Sequence, residues 1–140
     1  MFLGINLAVE PFSLGLLKDG QLIAELNTRG SFSFTENLVL EIERFLQNSN
    51  HTIRQLKGIG IINGPGSYTG LRVSVTVAKS LAQVLSIPVY PIDSLEALVI
   101  GKKSIPGIYF SLLPARKKEY NCALFACQNN NIKRITESIG

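Results

Sequence analysis

The stretch IGIINGPGSYTGLRVSVTVAKSLAQVLSIPVYPID, residues 59–93, has the pattern of one strand–helix–strand unit. It opens with an isoleucine-rich run, which is typical of a strand buried on both faces. Glycines and a proline interrupt residues 64–70, and neither residue type follows Gly70 before Pro88, so residues 69–86 are predicted to form a helix of about four to five turns. Pro88 ends the helix, and residues 89–92 are predicted to form the next strand.

The predicted helix presents different side chains on different faces. Small residues recur every four positions, at Gly70, Ser74, Ala78 and Ala82. Polar residues form one narrow row, at Arg72, Thr76, Lys79 and Gln83. The remaining circumference is apolar, and a helix of this kind is covered on two sides. One cover is the chain's own sheet, and the other is another helix or another protein, although a central helix in a small α/β domain is a simpler interpretation.

The turn before this helix is predicted to be structural. It lacks the lysine of a P-loop, and its glycines are spaced one residue further apart than in the dinucleotide-binding fingerprint. The proline also removes an amide that could bind a phosphate. Nucleotide binding stays the weaker alternative, because a helix N-terminus favours anions. The residues assigned to this structural turn are Gly64, Pro65, Gly66, Ser67 and Thr69.

The composition is that of a globular domain, with 140 residues, 46% hydrophobic and 17% charged, and a net charge of +4. No apolar run is long enough to span a membrane. The N-terminus lacks the basic region of a signal peptide, so we expect a cytoplasmic protein. Cys122 and Cys127 are five residues apart in a predicted strand, on opposite faces, which disfavours a disulfide. The basic clusters near the C-terminal end are expected to be solvated, with weak tRNA binding as the alternative.

The elements around the central unit are read from local patterns. Strands are predicted at residues 2–8, 12–18 and 21–28, with Asp19-Gly20 as a two-residue hairpin turn. An amphipathic helix follows at residues 36–48, with Ser33 as its predicted N-cap. Further along, a short helix begins after Asp93, and strands are predicted at residues 107–113 and 119–126.

Three blocks of the sequence resemble the signature of the TsaB family, also called YeaZ. They are the turn GPGSYTG, the helix start TGLR at residues 69–72, and SLEAL at residues 94–98. Their order and spacing make the resemblance specific, and it covers nearly the whole chain. TsaB proteins are the small partners of TsaD in the machinery that makes threonylcarbamoyladenosine in tRNA.

The resemblance implies an α/β fold, an actin-like, ribonuclease H-like lobe with a mixed sheet and helices packed on it. We expect residues 1–140 to form a single N-terminal lobe of this kind, with residues 113–140 as the start of a truncated second lobe. The chain departs from the family pattern at Asn6, where the family has aspartate, at Phe34, and at Pro114, which replaces the aspartate of an Asp-Ala-Arg motif. In actin-like phosphotransferases the aspartate of the first strand organises metal and phosphate, and an amide cannot supply that charge.

The resemblance therefore implies a non-catalytic partner of a TsaD-like protein. We expect no catalytic, cofactor-binding or metal-binding residue in this chain, and ATP and metal on the TsaD partner. A TsaE-like ATPase is a further expected partner, a homodimer through the first two helices is an alternative, and tRNA is contacted indirectly. The residues assigned to the partner interface are Leu38, Ile42, Phe45, Gly70, Arg72, Val73, Ser74, Thr76, Val77, Ala78 and Leu81.

The alternative is an independent enzyme, either an ATPase of the actin-like fold or a glycoprotease-like hydrolase. Ser67 is a poor candidate nucleophile, because its surroundings do not match G-x-S-x-G and the only histidine, His51, is not a plausible base for it. A partner protein purified alone should hydrolyse neither ATP nor peptides, which separates the two hypotheses.

Overall fold

The computed structural model describes residues 1–29 and 32–136, with residue 32 described by its backbone alone. The chain forms two β-sheets. The first sheet consists of β1 (Phe2–Asn6), β2 (Phe12–Lys18), β3 (Gln21–Thr28), β4 (Gly58–Ile62) and β5 (Val89–Ile92). The second sheet consists of β6 (Gly107–Pro114), β7 (Tyr120–Gln128) and β8 (Asn131–Arg134). The helices are α1 (Phe32–Glu36), α2 (Leu38–Asn48), α3 (Tyr68–Leu85) and α4 (Ser94–Val99), with 3-10 turns at Ile53–Gln55 and Ile100–Lys102.

The first sheet has the mixed architecture that the sequence predicts. Its strand order is β3-β2-β1-β4-β5, in which β1, β2 and β3 run antiparallel and β1, β4 and β5 run parallel. Asp19 and Gly20 have φ angles of 51° and 77°, the left-handed geometry of a two-residue hairpin turn, which confirms the predicted turn. The parallel strands β4 and β5 are joined by α3, as the strand–helix–strand pattern requires.

Helix α3 follows the predicted span to within one residue at either end. The Ser67 hydroxyl caps its N-terminus by accepting a hydrogen bond from the Gly70 amide at 3.3 Å. At the other end Ser86 adopts a left-handed conformation, and Pro88 follows it. The row of small residues is the buried face of the helix, at Gly70, Ser74, Ala78 and Ala82.

The main core lies between one face of the first sheet and the helices α2 and α3. The strands contribute their inward-facing aliphatic side chains, among them Leu3, Ile5, Leu14, Leu16, Ile59 and Ile61. Helix α2 contributes its apolar stripe, Leu38, Ile42, Phe45 and Leu46, as its periodicity predicts. The predicted helix start is wrong in detail, because Ser33 lies inside α1 and not at an N-cap, and α2 begins only after Asn37.

The opposite face of the first sheet has no helix on it among the described residues. There, Gly15, Gly4 and Gly60 lie side by side in three neighbouring strands. A Cβ atom built on any of the three meets nothing closer than 3.4 Å, so the chain's own packing does not require glycine at these positions.

The second sheet begins at Gly107, six residues before the predicted start of a second unit at residue 113. Helix α4 covers one of its faces and forms a small core of Leu95, Val99, Leu113, Ala123 and Phe125. Arg134 donates to Asp93 at 3.0 Å, and the Ser111 hydroxyl donates to the Leu95 carbonyl at 2.8 Å. No disulfide joins Cys122 and Cys127, in agreement with their predicted positions on opposite faces. None of the helices of the described chain is long and apolar enough to cross a membrane.

Candidate partner interface

The glycine-rich turn is packed tightly on the loop that follows β1. The Ser67 amide donates to the Ala8 carbonyl at 2.7 Å. A Cβ atom on Gly66 would overlap that same carbonyl, and one on Gly70 would overlap the carbonyl oxygen of Leu7. Gly64 has a φ of 117°, which only glycine adopts without strain. Two of the glycines are thus explained by close backbone contact and one by backbone conformation.

Asn6, at the end of β1, has an amide group that is fully engaged in local hydrogen bonds. Its Nδ2 donates to the carbonyls of Val9 and Pro11, at 2.8 and 3.0 Å. Its Oδ1 accepts from the amides of Ala8 and Val9, at 3.1 and 3.3 Å. The residue therefore shapes the loop between β1 and β2, and its side chain has neither the charge nor the free oxygen that a metal ion would need.

The other polar candidates also make local bonds. The Ser67 oxygen caps α3, and the His51 Nδ1 lies 3.2 Å from the Gln55 side-chain oxygen. Among the described residues, no group of three or more His, Cys, Asp or Glu side chains could hold a metal ion. Ser67 is therefore a helix cap. The hydrogen bond described for its hydroxyl joins it to the Gly70 amide and not to a base.

A cleft of about 660 Å³ separates the glycine turn from the turn between β6 and β7. The glycine-turn side is formed by residues 63–68 and Leu71, and the other side by residues 114–116 and Asn121. Arg116 is the single cation in this lining, and it is exposed. The cleft lacks the lysine with which a P-loop binds phosphates.

A second surface lies on the exposed sides of α2 and α3. One groove, of about 320 Å³, follows α3 and is lined by Tyr68, Thr69, Arg72, Val73, Thr76 and Val77. A second, of about 330 Å³, lies between the two helices and is lined by residues 35–40, Glu43, Val73 and Val77. Because Val73 and Val77 line both, the two grooves form one continuous surface, which we call the α2/α3 face.

Large apolar side chains are exposed on the α2/α3 face. Val39 is 55% exposed, Leu40 is 42% exposed and Tyr68 is 67% exposed. The Arg72 guanidinium lies over the Tyr68 ring, 5.3 Å from its centroid, which holds both side chains at the edge of the groove. Apolar residues in a polar-rimmed groove are typical of a protein–protein contact.

The structure divides the predicted interface residues into two groups. Arg72, Val73, Thr76, Val77 and Leu81 are exposed or half-buried on α3, and a partner can reach them. The prediction is wrong for the other six, because they are buried inside the chain: Leu38, Ile42, Phe45, Gly70, Ser74 and Ala78. Four of the six, Leu38, Ile42, Phe45 and Ala78, belong to the core shared with the first sheet, beneath the α2/α3 face.

The sequence interpretation also missed residues that line the grooves, chiefly Val39, Leu40 and Tyr68. A signal for two of them was present in the run Leu38-Val39-Leu40. Three successive apolar residues span more than half of the helix circumference, so at least one of them must face outward. Tyr68 lies within the GPGSYTG block, and no pattern in the sequence indicates that its side chain lines a groove.

Comparison with known families addresses what this arrangement belongs to. Residues 29–138 match the family described as TsaD, tRNA N6-adenosine threonylcarbamoyltransferase. The chain belongs to the TsaD family. Its relatives in the TsaD family include proteins named tRNA threonylcarbamoyladenosine biosynthesis protein TsaB, so the resemblance to TsaB is confirmed.

The TsaB protein of Bacillus subtilis is 28% identical over 133 residues, which are 95% of this chain and 58% of the relative. The TsaB protein of Haemophilus influenzae is 31% identical over 96 residues, which are 69% of this chain and 40% of the relative. This member of the TsaD family thus spans only about half the length of the curated relatives it matches.

Solved structures give the same fold. YeaZ from Pseudomonas aeruginosa superimposes with a TM-score of 0.85 at 19% identity, covering 99% of this chain and 65% of that one. A more distant structure is that of an N-acetylglucosamine kinase from Porphyromonas gingivalis, with a TM-score of 0.52 at 14% identity. The alignment covers 99% of this chain and 47% of the kinase chain. The predicted actin-like α/β fold is confirmed.

Proposed function

We propose that this chain is a non-catalytic partner of a TsaD-like protein in the threonylcarbamoyl modification of adenosine in tRNA, acting in the cytoplasm. The observation that carries the proposal is the α2/α3 face, an exposed apolar surface supported by a rigid core. The names of the TsaB relatives supply the pathway. A TsaE-like ATPase stays a predicted further partner.

The hydrogen bonds of two candidate catalytic residues are consistent with a non-catalytic role. The amide of Asn6 is occupied by the loop it shapes, and the Ser67 hydroxyl is occupied by the helix it caps. An activated serine needs a base within hydrogen-bond reach, and the bonds described for Ser67 and His51 join these residues to Gly70 and Gln55 and not to each other. In this proposal the TsaD-like partner carries ATP, metal and the transfer reaction.

A matched pair of variants tests the surface. Val39→Glu places a charge in the groove between α2 and α3, whereas Leu22→Glu places the same charge on a residue of equal exposure in β3 (55% and 57%). We expect Val39→Glu to abolish co-purification with the TsaD-like protein of the same cell and Leu22→Glu to preserve it. Desolvating an unpaired carboxylate in an apolar contact costs several kcal/mol, on the order of the loss seen at interface hot spots.

Mass spectrometry of digested tRNA then tests the function itself. A strain carrying Val39→Glu should lose threonylcarbamoyladenosine, and one carrying Leu22→Glu should keep it. Normal modification in a strain lacking this chain would refute the proposal. ATP hydrolysis or peptide cleavage by the purified chain, abolished by Ser67→Ala in a protein that stays folded, would support the enzyme alternative instead.

A second assembly, a homodimer through the same face, is favoured by one observation. Glu36 ends α1 and Glu43 lies on α2, whereas the neighbouring α3 carries Arg72 and Lys79. A two-fold arrangement that brings α2 of one copy against α3 of the other would place opposite charges together. Sedimentation of the purified chain separates the two assemblies, because the homodimer forms without any TsaD-like protein.

A further inference from the structure

The positive charge of this chain is concentrated in one part of it. Residues 1–100 contain seven Lys and Arg and eight Asp and Glu, a net charge of −1. Residues 101–136 contain seven Lys and Arg and a single acidic residue, Glu119, a net charge of +6. The second sheet and its connections therefore account for the whole positive balance, and a surface of this kind favours a polyanionic partner.

The second sheet has an exposed face opposite α4, which we call the outer face. Strand pairing places Phe110 beside Leu124 and Leu112 beside Cys122. The side chains of β6 and β7 on this face are apolar or aromatic and are exposed: Ile108 at 72%, Phe110 at 62%, Leu112 at 45% and Tyr120 at 52%. Two aromatic rings thus lie on an open sheet surface, which is the arrangement on which unpaired bases stack.

Cations border the outer face on several sides. Arg116, Lys117 and Lys118 form the exposed turn at the Tyr120 end of the sheet. Lys133 in β8 lies opposite Ala126, which in turn lies opposite Ile108. Lys102 and Lys103 precede β6 in a segment tied to the β7–β8 hairpin by a 3.0 Å hydrogen bond between the Ser104 and Asn130 side chains.

We propose that the outer face of the second sheet binds single-stranded RNA, with bases stacked on Phe110 and Tyr120 and phosphates held by the bordering lysines and Arg116. The proposal rests on the proposed function in one respect: the proposed function makes tRNA the natural RNA ligand. Both the cations and the aromatic rings are needed. Cations alone give affinity for any polyanion, and the rings restrict that affinity to nucleic acids with accessible bases.

The binding test uses the purified chain alone, with a fluorescent oligouridylate of about twelve nucleotides as the first probe and a tRNA as the second. The triple variant Arg116→Gln/Lys117→Gln/Lys118→Gln removes three cations at the outer face. Its control, Lys18→Gln/Arg54→Gln/Lys57→Gln, removes three exposed cations elsewhere and lowers the net charge equally. We expect the first variant to reduce the slope of log affinity against log salt by about 2, and the control to leave it near the wild-type value.

A second pair of variants distinguishes base stacking on an aromatic ring from contact with any apolar side chain. Phe110→Leu keeps an apolar side chain but removes the ring, and we expect it to weaken oligouridylate binding about tenfold. Ile108→Leu changes shape on the same strand without removing a ring, and we expect no loss. Circular dichroism of each variant verifies that the sheet is intact.

Three results would overturn the proposal. They are the absence of binding to both probes, an equal loss in the two triple variants, and unchanged affinity in a folded Phe110→Leu protein. The last result would show that the bordering cations bind the RNA without base stacking on Phe110. None of the three depends on a TsaD-like protein, so RNA binding can fail while the proposed function holds, and the reverse.

Discussion

The two sheets begin alike and end differently. Each starts with three antiparallel strands, and each has a two-residue hairpin turn with positive φ angles, Asp19-Gly20 in the first and Asn129-Asn130 in the second. The first sheet then gains two parallel strands and buries a face under α2 and α3. The second stays three-stranded and is covered by the short helix α4. The same local pattern thus gives a large core in one case, and in the other a small core with an exposed face.

The largest expected effect comes from the small core. Phe125 is 1% exposed, and it is the largest residue of the cluster under α4. We expect Phe125→Ala to destabilise the second sheet by about 4 kcal/mol, because the other cluster members cannot fill the cavity. Amide hydrogen exchange should then show faster exchange in β6 and β7 and unchanged protection at Leu3 and Ile59. An equal loss of amide protection in both sheets would show that they unfold as one unit. The difference in stability between the two cores would then be absent.

A smaller effect is expected at the contact between α3 and the β1 loop. A Cβ atom on Gly70 would overlap the Leu7 carbonyl, so Gly70→Ala should cost about 3 kcal/mol, as overpacking against backbone does. Urea denaturation measures this free energy of unfolding. Gly4→Ala is the matched control, since a Cβ atom there meets nothing closer than 3.8 Å, and it should not destabilise. A similar loss at both positions would show that the close approach to the Leu7 carbonyl is not what destabilises Gly70→Ala.

The smallest effect is expected where the two sheets are linked. The Asp93 Oδ1 accepts from the amides of Leu95 and Glu96, at 2.8 and 3.1 Å, and its Oδ2 accepts from Arg134. Asp93→Ala removes the cap and the ion pair and should cost about 1 kcal/mol. Asp93→Asn keeps the cap and should cost a few tenths of a kcal/mol, about what a partly exposed pair contributes. Thermal denaturation compares the two, and an equal loss would assign the stabilisation to the ion pair.

Local patterns predicted the elements of the first sheet well. The bounds of α3 were predicted within one residue, because Ser67 caps it and Pro88 prevents its continuation. The hairpin at Asp19-Gly20 was predicted because few residues tolerate that geometry. The helix bounds and the hairpin turn depend on residues that are close together in the chain, and the sequence shows these residues directly.

What could not be predicted depends on distant parts of the chain. The row containing Ser74 and Ala78 was recognised as a face of α3, but periodicity does not say whether a sheet or a partner lies opposite. For the second sheet, residues 107–114 are apolar on both faces, so alternation could not distinguish the side under α4 from the outer face. The partner-facing role of the α2/α3 face stays a prediction for the same reason.

The pairing of β1 with β4 has a consequence for the order of events during synthesis. Phe2 pairs with Gly58, so the second strand of that parallel pair leaves the ribosome only after more than fifty further residues have been made. Until then, the strands β1, β2 and β3 can form their antiparallel ladder and receive α2, but the core lacks the side chains of β4 and α3. Contacts so distant in sequence slow folding and prolong the exposure of apolar strands. The N-terminal meander therefore exposes apolar side chains during synthesis until β4 and α3 have been made.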